Sequence, residues 1–306
     1  MRRWMQATAV ALFLIVVGSG PLLADWRHDT GVLRIGFLSA GDVAADVARL
    51  EPFRAWLQAR LALPVELIPS TSYASLIDSE VSGRVQYSIN SASSFATAEV
   101  MCKCVEPLAV PTAFDGSRGF HSLLVVRADG PIHTLADAKG ARIALAAADD
   151  SVAGRLLPLQ AFAALKIDPA TYFAQTVAAP GPEAAIADLL SGSADVAAGW
   201  SSLAGNAATG YSFGVFTAMV AAGSLTMDRV RVIWQSPLIP FGPHAVRSDM
   251  APELKQLLSA ALADLASQAP DILDAVDGSS YGGGAFAPAA PADYAAVEAL
   301  VAPPGG

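Results

Sequence analysis

The chain has 306 residues, with 53% apolar, 15% charged and 8% aromatic side chains, 25 Gly, 20 Pro and two Cys. This composition excludes a disordered chain, a disulfide-scaffolded miniprotein and a collagen-like repeat, because it can bury a large core without covalent staples. A formal charge of −9 with no basic cluster argues against nucleic acid or an anionic lipid surface as partner, yet leaves a small anion open, since backbone N–H groups bind one whatever the global sign.

Arg2 and Arg3 precede an apolar run from Ala7 to Val17, broken by Gly18, Gly20 and Pro21. This is the order of a secretory signal, with Leu22-Leu23-Ala24 as the cleavage site before Asp25. The run is shorter than the ~20 residues that span a bilayer, so residues 1–24 are expected to be removed on export to the periplasm rather than kept as an anchor. No Cys adjoins the cleavage point, so no lipid anchor is expected. Losing Arg2 and Arg3 takes the 19 basic residues to 17 against 28 acidic ones, and the charge from −9 to −11.

Beyond that point, short Val/Ile/Leu runs alternate with amphipathic segments, the pattern of βα units around a mostly parallel sheet. Val32–Leu38 reads as a strand, and residues 46–61 as a helix with Val47, Leu50, Phe53, Trp56, Leu57 and Leu61 at helical spacing. Strands over 64–69 and 85–89 bracket a helix from Tyr73 to Glu80 that Gly83 closes, and a further helix runs from near Ser94 to Met101. Strands follow at 108–110 and 122–127. The pattern then restarts: a helical turn at 134–137, a strand at 142–146, a helix at 154–165, a helix at 182–190 ended by Gly192, and strands at 196–198 and 230–234. An extended segment at 243–246 and a helix at 252–267 complete it. The Ala/Pro/Gly-rich tail from Gly282 is expected to wrap the surface or fray.

Two such blocks predict two α/β lobes with a cleft between them, residues 25–126 with 240–306 and residues 127–239. Ligands of open α/β sheets sit beyond the carboxyl ends of the strands, where helix N-termini also point. Four such places are rich in small hydroxyl residues: Ser70-Thr71-Ser72-Tyr73, Ser91 to Ser94, Ser151-Val152-Ala153-Gly154 and Trp200-Ser201-Ser202. Each alone is accounted for as a helix N-cap. Their recurrence in both lobes predicts a cleft lined with hydroxyl and N–H donors for a small oxyanion.

Read in order, the segments LRIGFLSA, VELIPSTSYASLI, SGRVQYSINSASSF, EPLAVP, FHSLLVVRADGPIHTLADAKGARIALA, DDSVAGRLLP, PEAAIADLLSGSADVAAGW and VRVIWQSPLIPFGPHAV resemble the periplasmic phosphonate-binding (PhnD-like) family of solute-binding proteins. These serve ATP-driven importers and some sensor kinases. The resemblance runs from Leu33 to Leu265 and implies a two-lobed, hinged periplasmic binding fold (type 2-like). It implies a monomer that binds a phosphate-, phosphite- or phosphonate-type anion and works with an inner-membrane ABC permease or sensor kinase. No enzymatic activity and no cofactor are expected. In the family, the tyrosine matching Tyr73 and the turn matching Ser151, Val152, Ala153 and Gly154 contact the anion, and Ser93, Ser94 and Phe95 fall where the first lobe adds a second helix N-terminus. Here Val152 and Ala153 stand where the family has hydroxyls, Phe95 where it has a tyrosine and Pro182 where it has a histidine, so fewer side-chain donors are implied, although the backbone N–H groups remain.

Cys102-Lys103-Cys104 places two thiols one residue apart in an oxidising compartment, with Lys103 favouring the thiolate. Some relatives resemble arsenite-binding sensors with a Cys in this region, which makes Cys102 and Cys104 an alternative thiol site reporting to a histidine kinase; the plain alternative is a local disulfide or two inert thiols. His28, His121, His133 and His244 lack metal-ligand spacing, and no metal is expected. His121 lies in a segment that can cross between lobes, and Trp200 ends a strand where its ring can cover a ligand. A Ser hydrolase is disfavoured by the lack of a G-x-S-x-G elbow and of an identifiable Ser, His and acid set.

Overall fold

A computed structural model describes residues 26–39, 41–148, 151–276 and 283–302. The expected secretory signal at 1–24 lies outside the described residues. The first run of elements is α1 (Trp26–Thr30), β1 (Leu33–Leu38), α2 (Val43–Leu61), β2 (Val65–Ser70), α3 (Tyr73–Val81), β3 (Tyr87–Ile89), α4 (Ala92–Cys102) and β4 (Val105–Ala113). The second is β5 (Gly119–Arg127), β6 (Arg142–Ala146), a π-helical turn (Val152–Leu156), α5 (Leu157–Ala164), α6 (Pro169–Tyr172), β7 (Gln175–Ala179), α7 (Pro182–Ser191), β8 (Val196–Ser201), α8 (Val215–Ala221) and β9 (Val230–Gln235). The chain closes with β10 (Ile239–Pro240), β11 (His244–Arg247), α9 (Pro252–Gln268), α10 (Pro270–Val276), β12 (Gly283–Pro288) and α11 (Ala295–Val301).

The strands form two sheets, one in the order β12-β4-β11-β3-β1-β2 and one in the order β10-β5-β8-β6-β7 with β9 on β5. β1 lies between β2 and β3, parallel to both, and is covered on both faces, which explains its unbroken apolar run. Gly36 at its centre lets α3 close in, since a Cβ there would stand 2.8 Å from Leu76 Cδ1. α2 starts where the Asp42 carboxylate accepts the N–H groups of Ala44 and Ala45, and buries Leu50, Phe53, Leu57 and Leu61 at helical spacing. The matching stripe of α9, Leu254, Leu258, Leu262 and Leu265, shares that core.

Strand direction makes the two sheets face one another. β4 and β3 both run antiparallel to β11, so β4 ends at Ala113 on the edge where β1, β2 and β3 end. β5 runs antiparallel to β8, and β8 is parallel to β6 and through it to β7, so β5 begins at Gly119 on the edge where those three end. The chain crosses between these edges at 114–118 and returns at 241–243. Because β5 belongs to the second sheet, residues 119–126 sit there and not with the first block, ahead of the 126/127 boundary read from the sequence. The crossings are packed by Val110, Ala113, Phe213 and Phe241, flanked by Phe120 and Trp200.

Residues 283–302 of the tail do not fray. β12 pairs antiparallel with β4, and the ring of Tyr294 is fully buried 4.8 Å from that of Phe95, its hydroxyl donating to the Phe241 carbonyl at 2.9 Å. The small residues that suggested fraying are what this strand needs: a Cβ on Gly284 would stand 1.8 Å from the Thr112 carbonyl oxygen. The helix expected over 154–165 opens with a wider turn, in which the Ser151 carbonyl accepts from both Arg155 and Leu156, at 3.1 and 2.9 Å.

Candidate functional site

On the first lobe, α3 and α4 both begin at the edge facing the hinge, each with a reciprocal serine cap. Ser72 Oγ accepts the Ser75 N–H and Ser75 Oγ accepts the Ser72 N–H, both at 3.2 Å. Ser91 and Ser94 repeat this at 3.0 Å. The cap satisfies the third N–H of each first turn. The N–H groups of Tyr73 and Ala74 on α3, and of Ala92 and Ser93 on α4, have no hydrogen-bond partner among the described residues. They form two sets of donors at the positive ends of helices.

On the second lobe, the turn after β6 presents the N–H groups of Val152, Ala153 and Gly154, likewise without a partner among the described residues, and the Ser151 hydroxyl, which makes no capping bond. Gly154 is required: a Cβ would stand 2.8 Å from Ser151 Oγ and 2.9 Å from Ala146 Cβ. Ser122 Oγ donates to the Ala153 carbonyl and fixes the turn against β5.

Tyr73 is 42% exposed at the start of α3. Ser93 is half-buried with its hydroxyl 3.2 Å from that of Ser91. Ser94 is buried, and its hydroxyl is committed to the cap and to Asn90 Oδ1 at 2.7 Å. Phe95 faces the other way, wholly buried against Tyr294, because it follows the cap by one residue and so rotates onto the α11 side. It offers nothing to a cleft. His121 is half-buried, with Nδ1 bonded to the Ser236 carbonyl at 2.8 Å, and ties β5 to the hinge-side chain. Trp200 is half-buried at the end of β8, with its ring 5.4 Å from that of Phe120.

Cys102 and Cys104 are joined in a disulfide. Neither sulfur is available as the thiolate that a soft ion such as trivalent arsenic requires, because the left-handed Lys103 folds the chain back and brings the two side chains together. Among the described residues no His, Cys, Asp and Glu grouping is arranged to hold a metal ion.

Two contributors escaped the sequence reading. Asn90, just before the α4 cap, donates to Glu80 Oε1 at 2.7 Å and to Ser88 Oγ at 2.8 Å while accepting from Ser94. Glu80 is 1% exposed, and burial raises its carboxyl above the ordinary carboxylate range. These residues brace the α4 end from beneath. Asn90 carried a weak signal, a polar residue directly before a serine cap; Glu80 carried none.

Two sheets with opposed carboxyl edges, joined by crossings at a packed hinge and bearing helix N-termini on both sides, define a two-lobed α/β binding protein. The profile of the family described as ABC transporter, phosphonate, periplasmic substrate-binding protein matches residues 35–294, and the chain belongs to that family. XAC2383 from Xanthomonas citri bound to ATP shares the fold at 21% identity, with 89% of this chain and 97% of that one covered and a TM-score of 0.60. PhnD1 from Prochlorococcus marinus (MIT 9301) in complex with methylphosphonate does so at 16% identity, 88% and 97% coverage and a TM-score of 0.52. A binding protein component of ABC phosphonate transporter (PA3383) from Pseudomonas aeruginosa matches at 21% identity, 88% and 85% coverage and 0.50. Among the described residues no helix is long and apolar enough to cross a membrane.

Proposed function

We propose that this protein captures a small tetrahedral oxyanion of the phosphonate type between its lobes in the periplasm, after cleavage of residues 1–24, and presents it unchanged to an inner-membrane ABC permease. It acts as a monomer made of two lobes that close about the 114–118 and 241–243 crossings. The carrying observation is the set of N–H groups of Tyr73, Ala74, Ala92, Ser93, Val152, Ala153 and Gly154, without partners among the described residues, on facing edges of the two sheets. Backbone N–H groups at helix ends are suited to an oxyanion whose several lone pairs can each accept one. With donors on both lobes, the bound anion favours the closed arrangement, in which both sets reach it. The Ser151 and Ser93 hydroxyls and the exposed Tyr73 ring complete the set, and Trp200 stands at the cleft wall.

A titration against phosphate, phosphite, methylphosphonate, methylsulfonate and sulfate, read by calorimetry and small-angle scattering, tests this. Heat and compaction with at least one anion are expected; neither with any of them would overturn the reading. The arsenite-sensor alternative with a histidine kinase is not favoured, since its thiols are bridged. They also lie at the far end of the 11-residue α4, roughly 16 Å from its capped start.

A further inference from the structure

Among the described residues, Glu80 is the only buried acidic one. It lies on the last turn of α3, and because helical side chains lean toward the helix N-terminus, its carboxyl is directed back toward the edge that carries the donors. There Asn90 links it to the start of α4. The Asn90 amide nitrogen donates to Glu80 Oε1 at 2.7 Å and to Ser88 Oγ at 2.8 Å, and its oxygen accepts from Ser94 Oγ at 2.7 Å. Ser94 forms the reciprocal cap with Ser91 at 3.0 Å. Two hydrogen bonds therefore connect the carboxyl to the first turn of α4, whose Ala92 and Ser93 N–H groups are anion donors.

No cation pairs with this carboxyl among the described residues, and its Oε2 is buried without a partner. Arg247 of β11 spends Nη1 on the backbone carbonyl of Glu80 at 3.0 Å and its other two nitrogens on Asp249, both at 3.0 Å. Arg84 pairs with Asp78 at the exposed end of α3. On α4, Lys103 faces Glu99 at 3.8 Å, and across β1 and β2 Arg34 faces Glu66 at 3.2 Å. Tyr87 of β3 is bonded to His244. An ionised Glu80 is thus a buried charge without a counterion, and desolvation outweighs the bonds from Asn90 and Ser88 that favour the carboxylate. An oxyanion on the Ala92 and Ser93 amides would add a second negative charge above the same buried network, where little water screens the repulsion.

We propose that Glu80 is a positioning residue coupled to the anion site through a proton: its neutral carboxyl lets Asn90, Ser94 and Ser91 hold the α4 end ready for an anion, and its ionisation weakens binding there. This rests on the oxyanion reading above. The coupling is reciprocal, so the bound anion favours the protonated carboxyl, and at a pH where the free protein has partly lost that proton, binding draws one from the buffer.

Calorimetric titration of the wild-type protein and of Glu80→Gln with methylphosphonate and with methylsulfonate, from pH 5 to pH 8, tests the inference. Taking the ratio of the two proteins' dissociation constants cancels the ionisation of the ligand itself. The wild-type constant is expected to rise relative to that of the variant by about tenfold across this range, the size of the repulsion between charges about 10 Å apart at an effective dielectric constant of ~20. Titrations with methylsulfonate in two buffers of different ionisation enthalpy should show proton uptake by the wild type and none by Glu80→Gln. A purely structural role shifts the ratio equally at every pH. A ratio that is flat in pH, or equal proton uptake by the two proteins, overturns the coupling and leaves the oxyanion reading intact. If neither ligand binds the wild type at any pH, the oxyanion reading fails first. Circular dichroism reports whether the variant folds, and Glu80→Met, neutral and of similar length, replaces it if it does not. Should neither fold, proton uptake by the wild type decides, and its absence overturns the proposal.

Discussion

His244 Nε2 donates a 3.0 Å hydrogen bond to the carbonyl of Val276, tying the strand that follows the return crossing to the last residue of α10. Its Nδ1 accepts from the Tyr87 hydroxyl, so the imidazole is held neutral in one tautomer, fully enclosed by Phe53, Tyr87 and Phe286. Burial pushes its pKa down to about 4 from the ordinary 6.5. Between those values the unfolded chain binds the proton and the folded one does not, so stability falls as pH drops through that window, by about 3 kcal/mol in all. Urea unfolding from pH 7 to pH 4 should show this loss, and His244→Phe should lack that component while being less stable at pH 7 through the unpartnered Tyr87 hydroxyl and Val276 carbonyl.

The return crossing tolerates no side chain at Gly242. A Cβ there would stand 1.8 Å from the Asn90 carbonyl oxygen, and neither backbone can yield without breaking the 3.1 Å bond from Asn90 N to the Pro243 carbonyl. Gly242→Ala is expected to cost about 3 kcal/mol or more, at the upper end of overpacking penalties. Gly181→Ala, whose added methyl would meet only Glu183 Oε2 at 3.7 Å, should lower the unfolding free energy by no more than about 1 kcal/mol, the difference between Gly and Ala at a helix N-cap.

The buried Glu80 carries a sign that can be checked. Its carboxyl is raised by burial, so its contribution to stability is full below the ordinary carboxylate value and is lost as pH rises through the folded one. Glu80 Oε2 has no partner among the described residues. Glu80→Gln keeps an acceptor for Asn90 and has no charge to bury, so its stability relative to wild type should improve from pH 5 to pH 8. Glu80→Ala leaves the Asn90 amide short of an acceptor and should cost about 1–3 kcal/mol at pH 5.

The Cys102–Cys104 bridge closes no long loop, since one residue separates the two. The stability lost on Cys102→Ser with Cys104→Ser should therefore be small, roughly 1–2 kcal/mol on the chain-entropy account. Alkylation followed by mass measurement should find no reactive thiol in the oxidised native protein and two after reduction. Arsenite should leave the melting temperature of the oxidised protein unchanged.

Element boundaries were legible wherever local chemistry is self-contained. Ser72 marks a helix start because its side-chain oxygen satisfies an N–H three residues away, and Gly83, Gly140 and Gly192 mark ends because each adopts a left-handed φ; the helices read from Asp46 and from near Ser94 start three and two residues earlier, at Val43 and Ala92, on the caps of Asp42 and Ser91. The site was legible only in part. The hydroxyl-rich turns lie at the strand ends as read, but Ser94 spends its hydroxyl on the cap and Phe95 turns into the core, and neither outcome follows from composition. Tail burial through Tyr294 and Gly284 escaped notice for the same reason: an Ala/Gly-rich strand looks like a frayed end until its partner, β4, is known.

The sequence by itself determined the alternation of strands and helices, the family and the hydroxyl-rich turns at strand ends, since all of these depend on near neighbours in the chain. Only the tertiary structure decided which block Gly119–Arg127 joins and how Glu80 and Asn90 brace the α4 end. Those are contacts between residues far apart in sequence, fixed by strand direction and by the space that close-packed side chains leave, and no local pattern encodes them.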